Sequence, residues 1–237
     1  ARFPMDPRLA VSLVSAPDFG SLAELLTLVS FLSLQDIRER PIEHAHKADE
    51  AHQKFVDARS DFLTILKMWD WIETLKREES KSSFKKTLKK NFLNFRRTVE
   101  WSETRDQLAR ICKTLGLRAN TNKASYRAIH LPMIIGNLSN LARLKDRTQY
   151  QGARNQSLMI FPGSGLFKKK HAWIVSTEII ETSRIYARDA ASIRPSWVEQ
   201  CSKHLQKERF DDLHWSKKSG EVMGYQTISV YLSLIHI

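Results

Sequence analysis

Cysteine is nearly missing from this chain: Cys112 and Cys201 are the only two, and they lie far apart. That scarcity excludes a disulfide framework and reads as two reduced thiols of a cytosolic protein. Long apolar runs are absent as well. The best candidate, from Leu22 to Leu34, is too short to span a bilayer and contains Glu24 and several hydroxyls. Arg2-Phe3-Pro4 leads into Asp6-Pro7 and not into the apolar core of a signal peptide. There is no Gly-x-x-x-x-Gly-Lys-Ser/Thr phosphate loop, no internal repeat and no low-complexity tract. Serines, histidines and aspartates occur at no spacing that assembles a nucleophile with a base and an orienting group, so no catalytic residue is assigned. Acidic residues are in deficit, 26 against 38 Lys and Arg, which leaves a formal charge of +12. Such a balance favours a polyanionic partner, nucleic acid first and an anionic membrane surface second.

What is present suffices for real cores: 42% of the residues are hydrophobic, and 237 residues fit one large or two modest domains. The few prolines and glycines punctuate the first part into helices. Asp6 before Pro7 reads as an N-cap with proline at the first helical position. Pro17-Asp18-Phe19-Gly20 breaks that helix, and Ser21 with Glu24 reads as a capping box before Leu22, Leu25, Leu26, Val29 and Leu32 at helical spacing. A polar helix is expected over 43–58, and another, capped by Ser60 or Asp61, carries Phe62, Leu66, Trp69 and Ile72. Residues 78–83 read as a loop. The next helix shows Phe84, Leu88, Phe92, Phe95 and Val99 at steps of three and four, with Lys85, Lys86, Lys89, Lys90, Arg96 and Arg97 over the rest of its surface. Leu108, Ile111, Cys112 and Leu115 form a further stripe stopped by Gly116. Ser125 opens a last helix, in which Pro132 predicts a kink or a restart.

From about residue 150 the pattern turns β-rich. A strand over 157–161 runs into Pro162, Gly163 and Gly165, then the basic run Lys168, Lys169 and Lys170, then a strand over 172–177. Further β-rich chain follows through Glu181-Thr182-Ser183-Arg184-Ile185-Tyr186-Ala187-Arg188. Short strands joined by a Gly/Pro hairpin, whose glycines supply positive φ, suit a small barrel that holds a nucleic-acid backbone. A helix over 195–205 and an alternating strand over 227–232 follow.

The same segment carries a family resemblance. Gly152-Ala153-Arg154-Asn155, then Ile160-Phe161-Pro162-Gly163-Ser164-Gly165-Leu166-Phe167-Lys168-Lys169 and Glu181-Thr182-Ser183-Arg184, resembles the C-terminal OB-fold of DEAH-box RNA helicases, most of all the bacterial HrpA type. The likeness continues at His214-Trp215-Ser216-Lys217-Lys218 and Gly220-Glu221-Val222-Met223. It reaches back to Phe3-Pro4-Met5-Asp6-Pro7-Arg8-Leu9-Ala10, similar to the hand-over from winged helix to ratchet. The resemblance implies an α+β chain, with the end of a winged-helix region over 1–20, an all-helical ratchet-like domain over 21–147 and an OB-fold over 148–237. A start inside a family motif implies a fragment whose motor is missing. From Leu232 onward the tail departs from the family and is assigned no function.

The implied function is to grip single-stranded RNA while a motor, which would hold ATP and Mg, moves 3′→5′ along it; no cofactor is expected in the chain itself. The implied partners are single-stranded or structured RNA, the motor domains of the same parent, and ribosome-associated RNA, with no membrane; the expected location is the cytoplasm. A free-standing RNA-binding or ribosome-associated module, and a structural domain with a merely solvated basic face, stand as alternatives. Arg154, Ser164, Lys168, Lys169, Lys170, Thr182, Arg184, Tyr186 and Arg188 are the candidate RNA contacts on the barrel, with Lys85 and Lys89 on the helices. Hydroxyls, ammonium and guanidinium groups donate to phosphate, and tyrosine stacks on bases. Trp173 and Trp197 read as core. Asp49-Glu50-Ala51-His52 spells a helicase motif, but its polar, helical surroundings deliver no buried strand end for Mg²⁺. His44, His46 and His52 lack the cysteines and fixed partners of a metal site, and none is assigned.

Overall fold

The computed structural model describes residues 3–203, 206–216, 221–230 and 233–236. Seven helices come first: α1 (Pro7–Ser15), α2 (Leu22–Leu32), α3 (Ala45–Gln53), α4 (Asp61–Glu78), α5 (Lys81–Lys90), α6 (Phe95–Thr114) and α7 (Tyr126–Gly136). The side chains of Asp6, Ser60 and Ser125 accept hydrogen bonds from the first-turn amides of α1, α4 and α7, as their sequence positions predict. Gly116 follows α6 with φ 76°, a left-handed cap that glycine adopts without strain.

Helix α2 is apolar nearly all round and is buried at Leu22 and from Leu25 through Phe31, so it is the centre of the helical layer. Trp101 of α6 is fully buried against it, edge-on to Phe31 and Trp69, and its indole donates to Thr27 O at 3.0 Å and Ser30 Oγ at 3.1 Å. Burying a side chain of this size contributes roughly 3 kcal/mol, provided its N–H finds an acceptor as here. At the α1–α7 crossing, a Cβ on Gly136 would stand 2.1 Å from Ser12 Oγ and 2.2 Å from the Arg8 carbonyl. Gly136→Ala should therefore force the two helices apart and cost about 1–3 kcal/mol in urea unfolding. An unchanged midpoint would mean that the crossing has slack.

Two local expectations are corrected, and of the kink or restart expected at Pro132 the restart is not found. Ser21 and Glu24 do not form a capping box: Ser21 Oγ donates to the Ala128 carbonyl at 2.8 Å, and Glu24 accepts from Asn120 Nδ2 and Ala124 N. The α2 amide at Ala23 is instead satisfied by Asn120 Oδ1 at 2.9 Å, from a distant loop. The helix expected through Phe84 to Val99 is two helices. Between them Phe92 takes φ 52°, the main chain of 92–94 pairs with 37–39, and Asn94 caps α6 by accepting from Arg97 N at 3.0 Å. Pro132 does not end or restart α7. The Ala128 carbonyl that proline leaves without its helical donor is the one that Ser21 Oγ reaches, so the helix continues.

The barrel begins at β1 (Leu141–Asp146), ahead of the boundary expected at 147/148, and adds β2 (Gln149–Gln151), β3 (Ser157–Ile160), β4 (Trp173–Glu181) and β5 (Ile185–Ile193). It closes in the order β1-β2-β3-β5-β4, with β1 pairing β4 and only β3–β5 parallel. So 161–172 is no hairpin: β3 and β4 are not neighbours, and the segment is a crossover. Gly163 and Gly165 do not have positive φ; Lys168 does, at 61°. Gly165 is needed for close approach, since a Cβ there would lie 2.2 Å from the Asp57 carbonyl.

The first half of β4, Trp173 to Thr177, is buried on both faces. Ile174 points into the barrel with Tyr150, Leu158, Ile160 and Leu166, whereas Trp173 and Val175 join the helical core with Ala191 and Ile193. The helices and one wall of the barrel thus share a continuous core. Beyond it, α8 (Pro195–Ser202) packs on α7. Strands β6 (Gln206–Ser216), β7 (Glu221–Val230) and β8 (Ser233–His236) form a separate antiparallel sheet, because a closed barrel offers no edge for them. Leu205, Lys217, Lys218, Gly220 and Leu232 lie outside the described residues. Among the described residues no helix is long and apolar enough to cross a membrane.

Candidate nucleic-acid interface

Strand periodicity places Tyr186 and Arg188 on a common side of β5, and Arg184 precedes them in the β4–β5 turn. Parallel pairing with β3 then sets Met159 opposite Tyr186. The Arg184 guanidinium lies 3.7 Å from Met159 Sδ. Phe161, just past β3, stands edge-on to Tyr186 with ring centroids 6.1 Å apart, and Arg188 lies over the same ring at 5.9 Å. Two guanidiniums and two aromatic rings therefore share one stripe, a combination suited to phosphate contact and base stacking. Phe161 was not among the expected contacts; only the β3–β5 pairing brings it there.

Lys168, Lys169 and Lys170 are exposed on the crossover. The crossover is anchored from beneath by Asp61, at the start of α4. Asp61 accepts from Ser164 Oγ at 2.6 Å, Gly165 N at 2.9 Å and Ala190 N at 2.9 Å. Burial pushes its carboxyl above the usual range, against the pull of these three donors. Ser164 is thus committed inward, and Thr182 Oγ1 closes the β4–β5 turn by donating to the Arg184 carbonyl at 3.2 Å. Arg154 is exposed at the start of a left-handed pair, φ 55° followed by 59° at Asn155. Such backbone in two non-glycine residues is strained and is concentrated at functional segments. Lys85 and Lys89 are exposed on α5, which packs on α4 and α6 in the helical layer.

A second set of charges lies where the helices meet the barrel. Arg38 makes a two-pronged contact with Asp36, at 3.0 and 2.6 Å, and Arg97 Nη1 donates to the Asp36 carbonyl at 2.9 Å. Burial opposes ionisation of Asp36, but the Arg38 charge and hydrogen bonds win and hold its carboxyl below the usual range. Asp189 has no such close partner: burial pushes it up to about 6, against the attraction of Arg38. Nearby, His130 is fully buried, stacked on Tyr126 at 3.8 Å, and bonded to Ser60 Oγ at 2.7 Å and the Tyr126 carbonyl at 2.6 Å. Burial pushes His130 down to about 4.

Asp49, Glu50, Ala51 and His52 lie on α3, where Asp49 pairs with Arg40 and His52 Nε2 meets the Phe92 carbonyl at 3.2 Å. Among the described residues no group of three or more His, Cys, Asp or Glu could hold a metal ion.

Comparison with known proteins matches two families along the chain. Residues 6–65 match the helicase associated domain (HA2), ratchet-like, and residues 129–205 match an oligonucleotide/oligosaccharide-binding (OB)-fold. The ATP-dependent RNA helicase HrpA of Escherichia coli (strain K12) is 38% identical over 232 residues, which is 98% of this chain and 18% of that protein. The HrpA homolog of Haemophilus influenzae is 39% identical over the same shares. The human ATP-dependent RNA helicase DHX33 is 26% identical over 203 residues, 85% of this chain and 28% of that protein. The chain thus spans under a third of the length of these relatives.

Proposed function

We infer, from a chain that corresponds to the C-terminal ratchet-like and OB-fold region of HrpA-type DEAH-box helicases, that its share of the work is to grip single-stranded RNA. The observation that carries this reading is the β5 stripe, where Arg184, Tyr186 and Arg188 flank Phe161 on a closed five-stranded barrel. Guanidiniums and the exposed lysines of the crossover take phosphates without reading sequence, and the two rings offer stacking faces. The helical layer, rigidly joined to the barrel through the shared core, holds these groups in fixed register. ATP and Mg belong, in this reading, to a motor elsewhere in the parent protein, since the chain contains no phosphate loop. The chain by itself is then a binding module that hydrolyses no nucleotide. The cytoplasm and ribosome-associated RNA are, in the same reading, its setting and target.

The test is fluorescence anisotropy of a labelled single-stranded RNA across a salt series, with Lys168, Lys169 and Arg184 changed to alanine together. Wild-type affinity should fall with salt. The triple variant should bind more weakly, with a log–log slope shallower by about 2, since each phosphate left without its cation lowers the slope by about 0.7. Equal slopes would refute the assignment of these residues, and no binding at low salt would refute the reading.

A further inference from the structure

A cavity of about 630 Å³ opens between α1, the segment after α2 and the strands β4 and β5, and two groups in its wall have hydrogen-bonding capacity to spare. Asn137, only 1% exposed, lines it, and its Oδ1 has no hydrogen-bond partner. The orientation of that amide is fixed, because Nδ2 donates to the Met133 carbonyl at 2.9 Å. A buried carbonyl oxygen left unpaired is costly, and it calls for a donor from an occupant. Arg188 lines the same cavity. Its acidic neighbours Glu178, Asp189 and Asp36 lie at 3.7, 3.8 and 4.0 Å, all beyond hydrogen-bonding distance. The other guanidiniums of the wall each hold at least one hydrogen bond: Arg8 a two-pronged contact with Asp6, Arg38 a two-pronged contact with Asp36, and Arg97 a single bond from Nη1 to the Asp36 carbonyl. Among the described residues, the wall thus presents a guanidinium that makes no hydrogen bond, Arg188, and a buried amide oxygen without a donor, Asn137 Oδ1.

We propose that this cavity takes one nucleotide of the bound RNA, with Arg188 donating to its phosphate and Asn137 Oδ1 accepting from its ribose 2′-hydroxyl. The proposal rests on the reading of β5 as an RNA-contacting strand, and extends it from grip to discrimination. A nucleotide carries both an acceptor for Arg188, its phosphate, and a donor for Asn137, its 2′-hydroxyl, and it fits the volume. The cavity is also continuous with the stripe. Arg188 is the last residue of the Arg184–Tyr186–Arg188 series, and each two-residue step along a strand covers about 6.7 Å, comparable to one nucleotide of extended backbone. The 2′-hydroxyl is present at every RNA position and at none in DNA, so its recognition is independent of sequence.

The experiment compares three labelled single strands of one sequence, RNA, DNA and uniformly 2′-O-methylated RNA, on the full 237-residue chain. The methyl group removes the donor and keeps the phosphates. Wild type should bind RNA about tenfold more tightly than the methylated strand, the effect of one hydrogen bond. Asn137→Ala should abolish that ratio, and Arg188→Gln should weaken all three strands and reduce the salt slope by about 0.7. Equal wild-type affinity for RNA and methylated RNA, with both binding well, overturns the cavity assignment and leaves the RNA grip intact. An Asn137→Ala variant that keeps the full ratio also overturns it. The oligonucleotide comparison needs no variant, so a folding defect in Asn137→Ala cannot mask the outcome. Absence of any RNA binding removes both readings.

Discussion

Asp61→Ala should cost about 3–5 kcal/mol in urea unfolding, the largest loss expected from any single change discussed for this chain. The carboxylate does three things at once. Its Oδ1 accepts from Gly165 N, and its Oδ2 accepts from both Ser164 Oγ and Ala190 N. Removing it leaves two backbone N–H groups buried without acceptors, each costing about 1–3 kcal/mol, and opens a void at the start of α4. Asp61→Asn should recover only part of the loss, because an amide –NH₂ placed at either oxygen faces an N–H donor. The effect should also be local. The crossover that carries Lys168, Lys169 and Lys170 is tied to α4 through this residue, so trypsin should cut the variant there before global unfolding. A loss below about 1 kcal/mol, or a crossover as protected as in wild type, would show that the shared core alone holds the barrel to the helices.

The second large effect is on the pH dependence of stability, where the buried His130 and the partly buried Asp189 act in opposite directions. His130 is pushed down to about 4 from 6.5, so the folded state binds a proton less readily than the unfolded chain. Its stability contribution is full above pH 6.5 and is lost as pH falls toward 4, a span of roughly 3 kcal/mol. Asp189 is pushed up to about 6 from 3.8, so its charged form burdens the folded state above pH 6. That burden is relieved as pH falls from 6 toward 3.8, by roughly 2–3 kcal/mol. In wild type the two nearly cancel between pH 6 and 4. Asp189→Asn removes one side only. Asparagine also tolerates the left-handed backbone at this position, where φ is 50°. The variant should be more stable than wild type at pH 7 by roughly 2 kcal/mol and should lose about 3 kcal/mol on acidification to pH 4. Chemical denaturation at half-unit pH steps measures both curves. Parallel curves for wild type and Asp189→Asn would refute the assignment to this carboxyl.

These two residues also mark where sequence reading stopped. Net charge, the missing phosphate loop, the switch from helical to β-rich chain, and the caps at Asp6, Ser60, Ser125 and Gly116 were legible because each depends on composition or on residues within one turn. The family motif located the barrel for the same reason: its residues are contiguous. Helical spacing misled at Phe92, where Phe84 to Val99 keep one period although the chain turns. There, pairing with residues 37–39 outweighs local propensity. The first half of β4 could not be read for its two faces, since both are buried and its apolar residues do not alternate with polar ones.

The amino-acid sequence by itself determined a basic chain, helical first and β-rich after, because local periodicity and capping chemistry are written within a few residues; the ratchet-like segment and the OB-fold were implied by the resemblance that its contiguous motifs carry. Tertiary structure decided the rest. It set β3 parallel to β5, brought Phe161 between Tyr186 and Arg188, turned Ser164 away from solvent, and joined Asp61 to an amide 129 residues distant. It also enclosed Asn137 and Arg188 in one cavity. Those arrangements depend on which strands pair and which faces share a core, and long-range pairing leaves no periodic trace in either partner segment.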